Sequence, residues 1–353
     1  MYDPIFDGDP CAMSAGITVL IPAFNEAESI RDTVESLLAQ TVRPTAIIVI
    51  DDCSTDGTAE AARAAGATVV RPPENTGSKA GAQNFALPFV RTEWTMAIDA
   101  DTTLAPDAME KLMVGLEDKE VAAASGFVVP RHVRTVWERG RYVEYLFAFT
   151  FLKAVQDFFG KPLIASGCFS AYRTDALRQL GGWSNQTMTE DIDLTWRFYF
   201  AGWRVRFVPD AVSYPIEPHD FGFMRKQLRR WSHGFVQNVR IHWRRVLAVP
   251  TLRMIVAVAA WDAMVASLAL VVLLPLMIVL FSAPILLMAY VADLPVILAP
   301  ILLGAIRRGE TVRALASIPG FLVLRAVNAF FLLEAIWSEL IVGRPLRLYE
   351  KGH

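Results

Sequence analysis

Cysteine is scarce in this 353-residue sequence: Cys11, Cys53 and Cys168 are the only three, with no Cys-x-x-Cys and no Cys/His spacing. Residues so few and so scattered exclude a disulfide scaffold and give no sign of a structural zinc site. Charge is sparse too, at 20% of residues against about 25% for an average soluble domain. Lys and Arg are missing from the first 16 residues, which carry Asp3, Asp7 and Asp9 instead. That stretch lacks the basic start and apolar run of an export signal and reads as a flexible acidic leader, so the domain after it is expected in the cytoplasm. No acid occurs between Asp220 and Asp262, and no charge of either sign between Ala263 and Ala292. Disorder is excluded, because 54% hydrophobic residues suffice to bury a core.

What is present divides into two parts. From Ile17 to about Pro215, short apolar runs alternate with amphipathic stretches. Ile17–Pro22, Ala46–Ile50, Ala67–Val70 and Trp94–Ile98 read as strands. Glu26–Gln40, with Ile30, Val34, Leu37 and Leu38 on one face, Asp56–Ala65 and Ser78–Val90 read as helices. This alternation predicts an α/β domain with a mostly parallel sheet covered on both faces. Farther on, Arg139–Asp157 reads as an aromatic-rich helix and Ile192–Gly202 as another, with Thr187 and Glu190 spaced as a capping box.

Ligands of such sheets bind beyond the carboxyl ends of the strands. Asp51-Asp52 follows the second strand and Asp99-Ala100-Asp101 the fourth, so both acidic pairs fall at the same edge. One such pair would be explained as turn formers or helix caps; two at matching strand ends make a constellation. Thr189-Glu190-Asp191 adds carboxylates at a helix N-terminus, which stabilises negative charge.

The acid-free stretch after Asp220 carries Arg225, Lys226, Arg229, Arg230, Arg240, Arg244, Arg245 and Arg253, interleaved with Trp231, Phe235 and Trp243. Ahead of an apolar run, this pattern fits helices lying at a cytoplasmic membrane face rather than a nucleic-acid patch. The apolar region that follows is long enough for two spans with a turn near Ser282–Pro284. Arg307, Arg308 and Arg313 then mark a return to the cytoplasm, with a short interfacial helix expected at Gly309–Ser317. A third apolar segment, Ile318–Val342, contains Arg325, Asn328, Glu334 and Glu339, which calls either for a polar bundle face or for an interfacial position. The expected division is leader 1–16, catalytic domain 17–219, basic interface helices 220–253, transmembrane region 254–343 and basic tail 344–353.

Five motifs in order resemble glycosyltransferase family 2. They are Ile21-Pro22-Ala23-Phe24-Asn25-Glu26 with Asp51-Asp52-Cys53-Ser54; Asn75 to Asn84 around Lys79, with Ser78 where the family places a glycine; Asp99-Ala100-Asp101; Thr189-Glu190-Asp191; and Gln227-Leu228-Arg229-Arg230-Trp231. The last two are similar to motifs of the membrane-integrated processive branch, which makes cellulose, chitin, hyaluronan and poly-N-acetylglucosamine. The resemblance implies a GT-A (Rossmann-like) fold, followed here by a helical transmembrane region, and inverting transfer from a UDP-sugar. Pro22, Ala23, Asn25, Glu26, Asp51, Asp52, Lys79, Asp99, Gln227 and Arg230 would then hold the nucleotide-sugar. Asp99 and Asp101 would bind Mg or Mn. Asp191 would be the base with Glu190 beside it, and Gly167, Cys168 and Trp231 would meet the acceptor.

Chemically these roles cohere. A diphosphate leaving group needs its developing charge neutralised, and a sugar hydroxyl needs a positioned carboxylate. An indole gives a pyranose an apolar face to stack on. The implied partners are a UDP-sugar, a carbohydrate or lipid-linked acceptor and membrane lipids, with no nucleic acid; homo-oligomerisation is left open. Single-sugar transfer to a lipid or protein acceptor is the alternative reading, and a non-catalytic membrane scaffold a weaker one. The resemblance departs in two places: the membrane part is small, and Arg347–Lys351 is at best a remnant of a gating motif.

Overall fold

The computed structural model describes residues 14–346; the acidic leader to residue 13 and the tail from residue 347 lie outside the described residues. The chain packs as two units. The first takes the chain as far as Val128 and then Ile164–Gln186 and Glu190–Pro215; the second takes Val129–Leu163, Thr187–Thr189 and the chain from Ile216 onward. Residues 129–163, which the sequence groups with the catalytic domain, thus pack in the second unit.

The first unit is built on an eight-stranded sheet: β1 (Ser14–Ala23), β2 (Ala46–Asp51), β3 (Thr68–Val70), β4 (Thr92–Ile98), β5 (Thr102–Leu104), β6 (Val121–Val128), β7 (Phe169–Arg173) and β8 (Arg204–Pro215). The order across it is β3-β2-β1-β4-β7-β6-β8-β5. Strands β3, β2, β1 and β4 run parallel, as the strand–helix alternation predicts. The sheet as a whole is mixed, because β7 pairs antiparallel with both β4 and β6, and β5 antiparallel with β8. Both faces of the parallel half are covered. Val19, Ile21, Val49, Met96 and Ile98 lie in one core with Ile30, Val34 and Leu37 of the Ile30–Leu38 helix. The alternate residues Leu20, Ile48, Ile50 and Ala97 point the other way and are equally buried. Leu38, expected on the buried face, is exposed instead.

In the second unit the amphipathic helix Phe221–Leu247 starts at Asp220, whose side chain accepts from Phe223 N. Three helical segments, Pro250–Phe281, Pro284–Arg307 and Thr311–Val342, are long and apolar enough to cross a membrane. The first break falls at Ser282, in left-handed conformation just before Pro284, where the sequence puts a turn. No separate helix forms at residues 309–317. Residues from Thr311 run straight into the helix Thr311–Ile336, with Pro319 inside it. Only 6% of the apolar window is buried in each of the first two segments, against 33% in the third.

The third segment is held by a close backbone approach. A Cβ added at Gly140, in the Val136–Phe147 helix, would lie 2.6 Å from the Gly320 carbonyl oxygen and 2.9 Å from Leu324 Cβ. Leu324 and Phe331 also join Met224 and Leu228 in an apolar cluster. The polar residues of this segment find partners rather than facing lipid. Glu334 accepts from Arg229, Asn328 donates to Glu144, and Arg325 pairs with Asp293. Gly140→Ala should therefore overpack the contact and remove about 1–3 kcal/mol of stability, measured as a lower unfolding temperature in detergent.

Candidate active site

The carboxyl edge of the parallel strands is organised by hydrogen bonds from the following loops. After β1, Asn25 takes a left-handed conformation (φ 55°), which Asn tolerates better than most residues. Its N–H donates to Ser54 Oγ at 3.0 Å and its side-chain oxygen accepts from Thr55 N at 2.8 Å. Glu26 N–H donates to Thr58 Oγ1 at 2.7 Å. These bonds tie the Pro22–Glu26 stretch to the turn after β2. In that turn Asp51 accepts from Ser54 N and from Arg71, at 3.0 and 2.9 Å. Asp52 accepts from Thr76 N and Thr76 Oγ1, at 2.8 and 2.9 Å. Both acids are buried, so their first task is to shape this edge.

Lys79 opens the helix Lys79–Ala86. Ser78, at the position where the resemblance expects glycine, caps that helix by accepting from Gly81 N at 3.0 Å. The Lys79 ammonium donates to Asp99, at the end of β4, and to the Gly167 carbonyl at 2.9 Å, and it lies 3.7 Å from Glu190. Gly167 N–H in turn donates to Asp191 Oδ2 at 2.8 Å, while Asp191 Oδ1 accepts from Ile192 N at 2.9 Å. Glycine leaves room here: a Cβ at residue 167 would lie 3.0 Å from both Asp191 Oδ2 and Lys79 Nζ, which would have to shift. One ammonium and one backbone N–H thus gather Asp99 with Glu190 and Asp191, a pair more than 90 positions farther along the chain. Burial, reinforced by the nearby Asp99 charge, pushes the Asp191 carboxyl above the usual range, against the pull of Lys79 and the two N–H donors. Cys168 adjoins this group through its carbonyl, which accepts from Asp99 N at 3.4 Å.

Asp101 follows two residues after Asp99 and accepts from Thr102 Oγ1 at 3.2 Å. Among the described residues no group of three or more His, Cys, Asp or Glu side chains forms a ready-made metal cage. Two carboxylates are nevertheless the hard oxygen donors that Mg2+ or Mn2+ takes, with remaining positions left for water and phosphate oxygens.

Gln227, Arg230 and Trp231 lie in the second unit, on the Phe221–Leu247 helix. Gln227 and Trp231, one turn apart, both meet Arg141. The Arg141 guanidinium donates to Gln227 Oε1 at 2.6 Å and stands 4.5 Å from the Trp231 ring centre. It also pairs with Glu144 and, at 3.4 Å, with Glu217. Only 1% of the Arg141 side chain is exposed, a burial that a guanidinium tolerates only when so paired. The sequence offers no sign of this role, since Glu217 and Gln227 are more than 70 residues away. Burial pushes Glu217 up, opposed by Arg141.

The same helix grips the segment that ends at Thr189. Asn238, fully buried, donates to Thr189 Oγ1 at 3.0 Å and to the Gly234 carbonyl at 2.9 Å, and Gln237 accepts from Met188 N at 2.9 Å. Thr187 does not form the expected capping box; its hydroxyl donates to the Thr189 carbonyl at 3.1 Å. The capping box that does form is Thr135 with Glu138.

Residues 18–181 match the family model "Glycosyl transferase family 2". Over that stretch, a little under half of its length, the chain is similar to a family 2 glycosyltransferase domain. The poly-beta-1,6-N-acetyl-D-glucosamine synthase of Staphylococcus aureus is 30% identical over 224 residues, 62% of this chain and 54% of that protein. The Staphylococcus epidermidis synthase of the same name is 28% identical over the same length. The chain spans about half the length of these curated relatives. A mannosyltransferase from Pyrobaculum calidifontis, solved in complex with GDP-Man and Mn2+, shares 22% identity and a TM-score of 0.66, over 95% of this chain and 89% of that one. That likeness shows the fold, a mixed-sheet GT-A-like domain followed by helices.

Gly234 explains how closely Thr189 can approach, since a Cβ there would lie 2.9 Å from Thr189 Cβ and closer still to its Oγ1. Gly234→Ala should cost about 1–3 kcal/mol in a thermal unfolding experiment, and Thr189→Ala in the same chain should recover part of that loss.

Proposed function

We propose that this chain is a membrane-bound inverting glycosyltransferase that moves an N-acetylhexosamine from its UDP-sugar to a carbohydrate acceptor, extending a polysaccharide or oligosaccharide. The observation that carries the reading is the gathering of Asp99, Glu190 and Asp191 around Lys79 and Gly167 at the carboxyl edge of the sheet. The match to poly-N-acetylglucosamine synthases supports the donor class. Three apolar helices support membrane attachment, with the catalytic domain on the cytoplasmic side, where a nucleotide-sugar is available.

In this reading Asp191 takes the proton of the acceptor hydroxyl. The oxygen attacks the anomeric carbon as the bond to the diphosphate breaks, and the bonding pair leaves with the UDP. Lys79 holds Asp99 in place at the diphosphate end. A divalent cation held by Asp99 and Asp101 would supply charge neutralisation for the leaving group. Arg230 serves the diphosphate, and Trp231, steadied by Arg141, offers a stacking face to the acceptor. Asn25, Glu26 and the Asp51–Asp52 turn form the nucleotide end. Single-sugar transfer to a lipid acceptor is the second reading, favoured by the small set of three candidate spans.

The deciding measurement is UDP release from lipid-reconstituted protein across a donor panel with Mg2+ or Mn2+, followed by product sizing. Release with UDP-N-acetylglucosamine and long products is expected; short products would select the second reading. Asp191→Asn should keep UDP affinity while transfer falls about 10²–10⁴-fold; retained turnover would remove Asp191 as base. Because the base acts only when ionised and its carboxyl is raised, activity should fall on acidification at a pH above that of an ordinary aspartate. An acid limb at or below the ordinary carboxylate range would count against the assignment.

A further inference from the structure

The aromatic-rich stretch that the proposed reaction leaves without a task lies in the second unit. Helix Val136–Phe147 continues through Ala148–Leu152 into Lys153–Phe158, and Gly160, in left-handed conformation (φ 68°), follows its end. From Phe151 onward its polarity is inside out. Phe151, Leu152, Val155, Phe158 and Phe159 are exposed, Phe158 by 84%. Lys153 is buried, its ammonium 4.8 Å from the Phe149 ring centre. The Gln156 side-chain oxygen is turned to the loop that follows, where it accepts from Leu163 N at 2.9 Å. At 100° per residue the five exposed side chains span an arc of about 120°, and Lys153, Gln156 and Asp157 fall outside it.

Water disfavours this arrangement. An apolar stripe on a helix normally turns to a core, and a contiguous exposed apolar patch marks a surface that something covers. The neighbouring span identifies the cover. A Cβ added at Gly304 would overlap Thr150 Oγ1 and lie 3.4 Å from Leu146 Cδ2. The turn before Phe151 therefore packs near the Arg307 end of the second candidate span, Pro284–Arg307. Leu303 and Ile306, on either side of Gly304, are exposed, so the apolar outside of that span adjoins the segment that carries the phenylalanines. Arg307 and Arg308 mark where the span leaves the bilayer. Residues 147–159 extend only about 20 Å as a helix, too short for a hydrocarbon core of about 30 Å. An uncharged apolar face beside the end of a span, and too short to cross, suits a helix lying between headgroups and acyl chains.

We propose that residues 147–159 form a membrane-embedded wedge, with Phe151, Val155 and Phe158 set into the acyl boundary of the bilayer, outside the three candidate spans. The partner is the lipid surface itself, met through its hydrocarbon rather than through a particular headgroup. A second copy of this chain is the other apolar cover, and the continuity of the face with a span favours lipid over it. The wedge fixes the height of the Val136–Phe147 helix at the bilayer surface, and with it Arg141. Lipid contact here is independent of whether sugar transfer occurs.

The experiment uses the full chain with its cysteines kept. p-Acetylphenylalanine is introduced at position 158 and coupled through its ketone to a nitroxide. In phosphatidylcholine nanodiscs, collision of the nitroxide with oxygen, which concentrates in hydrocarbon, is compared with collision with a water-soluble nickel chelate. Oxygen should dominate severalfold at 158, and at 155 in a second preparation. The reverse should hold at 114, where Val114 is 61% exposed in the first unit. Phe158→Asp with Phe159→Asp should shift the probe at 155 severalfold towards the nickel reagent. A nickel-dominated signal at 158, or an unmoved probe at 155 in the Asp variant, would overturn the proposal. So would a probe shielded from both reagents and broadened by a second nitroxide, which would identify a second copy as the cover. Should the preparation labelled at 158 fail to fold, position 151 gives the same comparison.

Discussion

The Lys79 ammonium is the contact on which the candidate site depends. Two carboxylates beside a third, all partly withdrawn from water, repel one another and would drift apart or take up protons. Lys79 offsets that repulsion by bonding Asp99 and the Gly167 carbonyl and standing within reach of Glu190. The Gly167 peptide then works from both ends, its carbonyl on the lysine and its N–H on Asp191. Removing the ammonium would loosen all three acids together, which is why their placement is a property of the group rather than of any one strand end.

A second buried cation plays the corresponding part in the other unit. Arg141 collects Glu144, Glu217, Gln227 and Trp231 around one planar guanidinium. Its fork of donors suits this better than a lysine would. Truncating it would strand the buried Glu217 carboxylate, a change that typically costs about 3–5 kcal/mol. The orientation of Trp231 is therefore set by a residue outside the motif that drew attention to it.

Much of this was legible from residue order. The parallel strands announce themselves through runs such as Ala46–Ile50, and the acids that follow β2 and β4 land at one sheet edge as the alternation requires. The antiparallel β7 was not legible, because five residues without a long apolar run carry no direction. The excursion of residues 129–163 into the second unit was equally hidden, since its anchors, Gly320 and Glu217, are distant in sequence. Asp51 and Asp52 were placed by sequence at the strand end where they lie, but their bonds to Arg71 and Thr76 depend on loop geometry that spacing does not encode. A short helix of its own was expected at Gly309–Ser317, yet one continuous helix, Thr311–Ile336, runs through to the third apolar segment.

The Gly140–Gly320 approach has a mechanical consequence. With two backbones in contact, the Thr311–Ile336 helix can neither slide nor roll against its neighbour without bringing a larger side chain into the gap. A membrane thicker or thinner than the apolar length of the protein must be met by tilting or local deformation of the lipid. The third segment could tilt only together with the Val136–Phe147 helix it touches. Pro250–Phe281 and Pro284–Arg307, with almost none of their apolar windows buried, carry no such backbone tie, so in a bilayer they would be the first to adapt to its thickness.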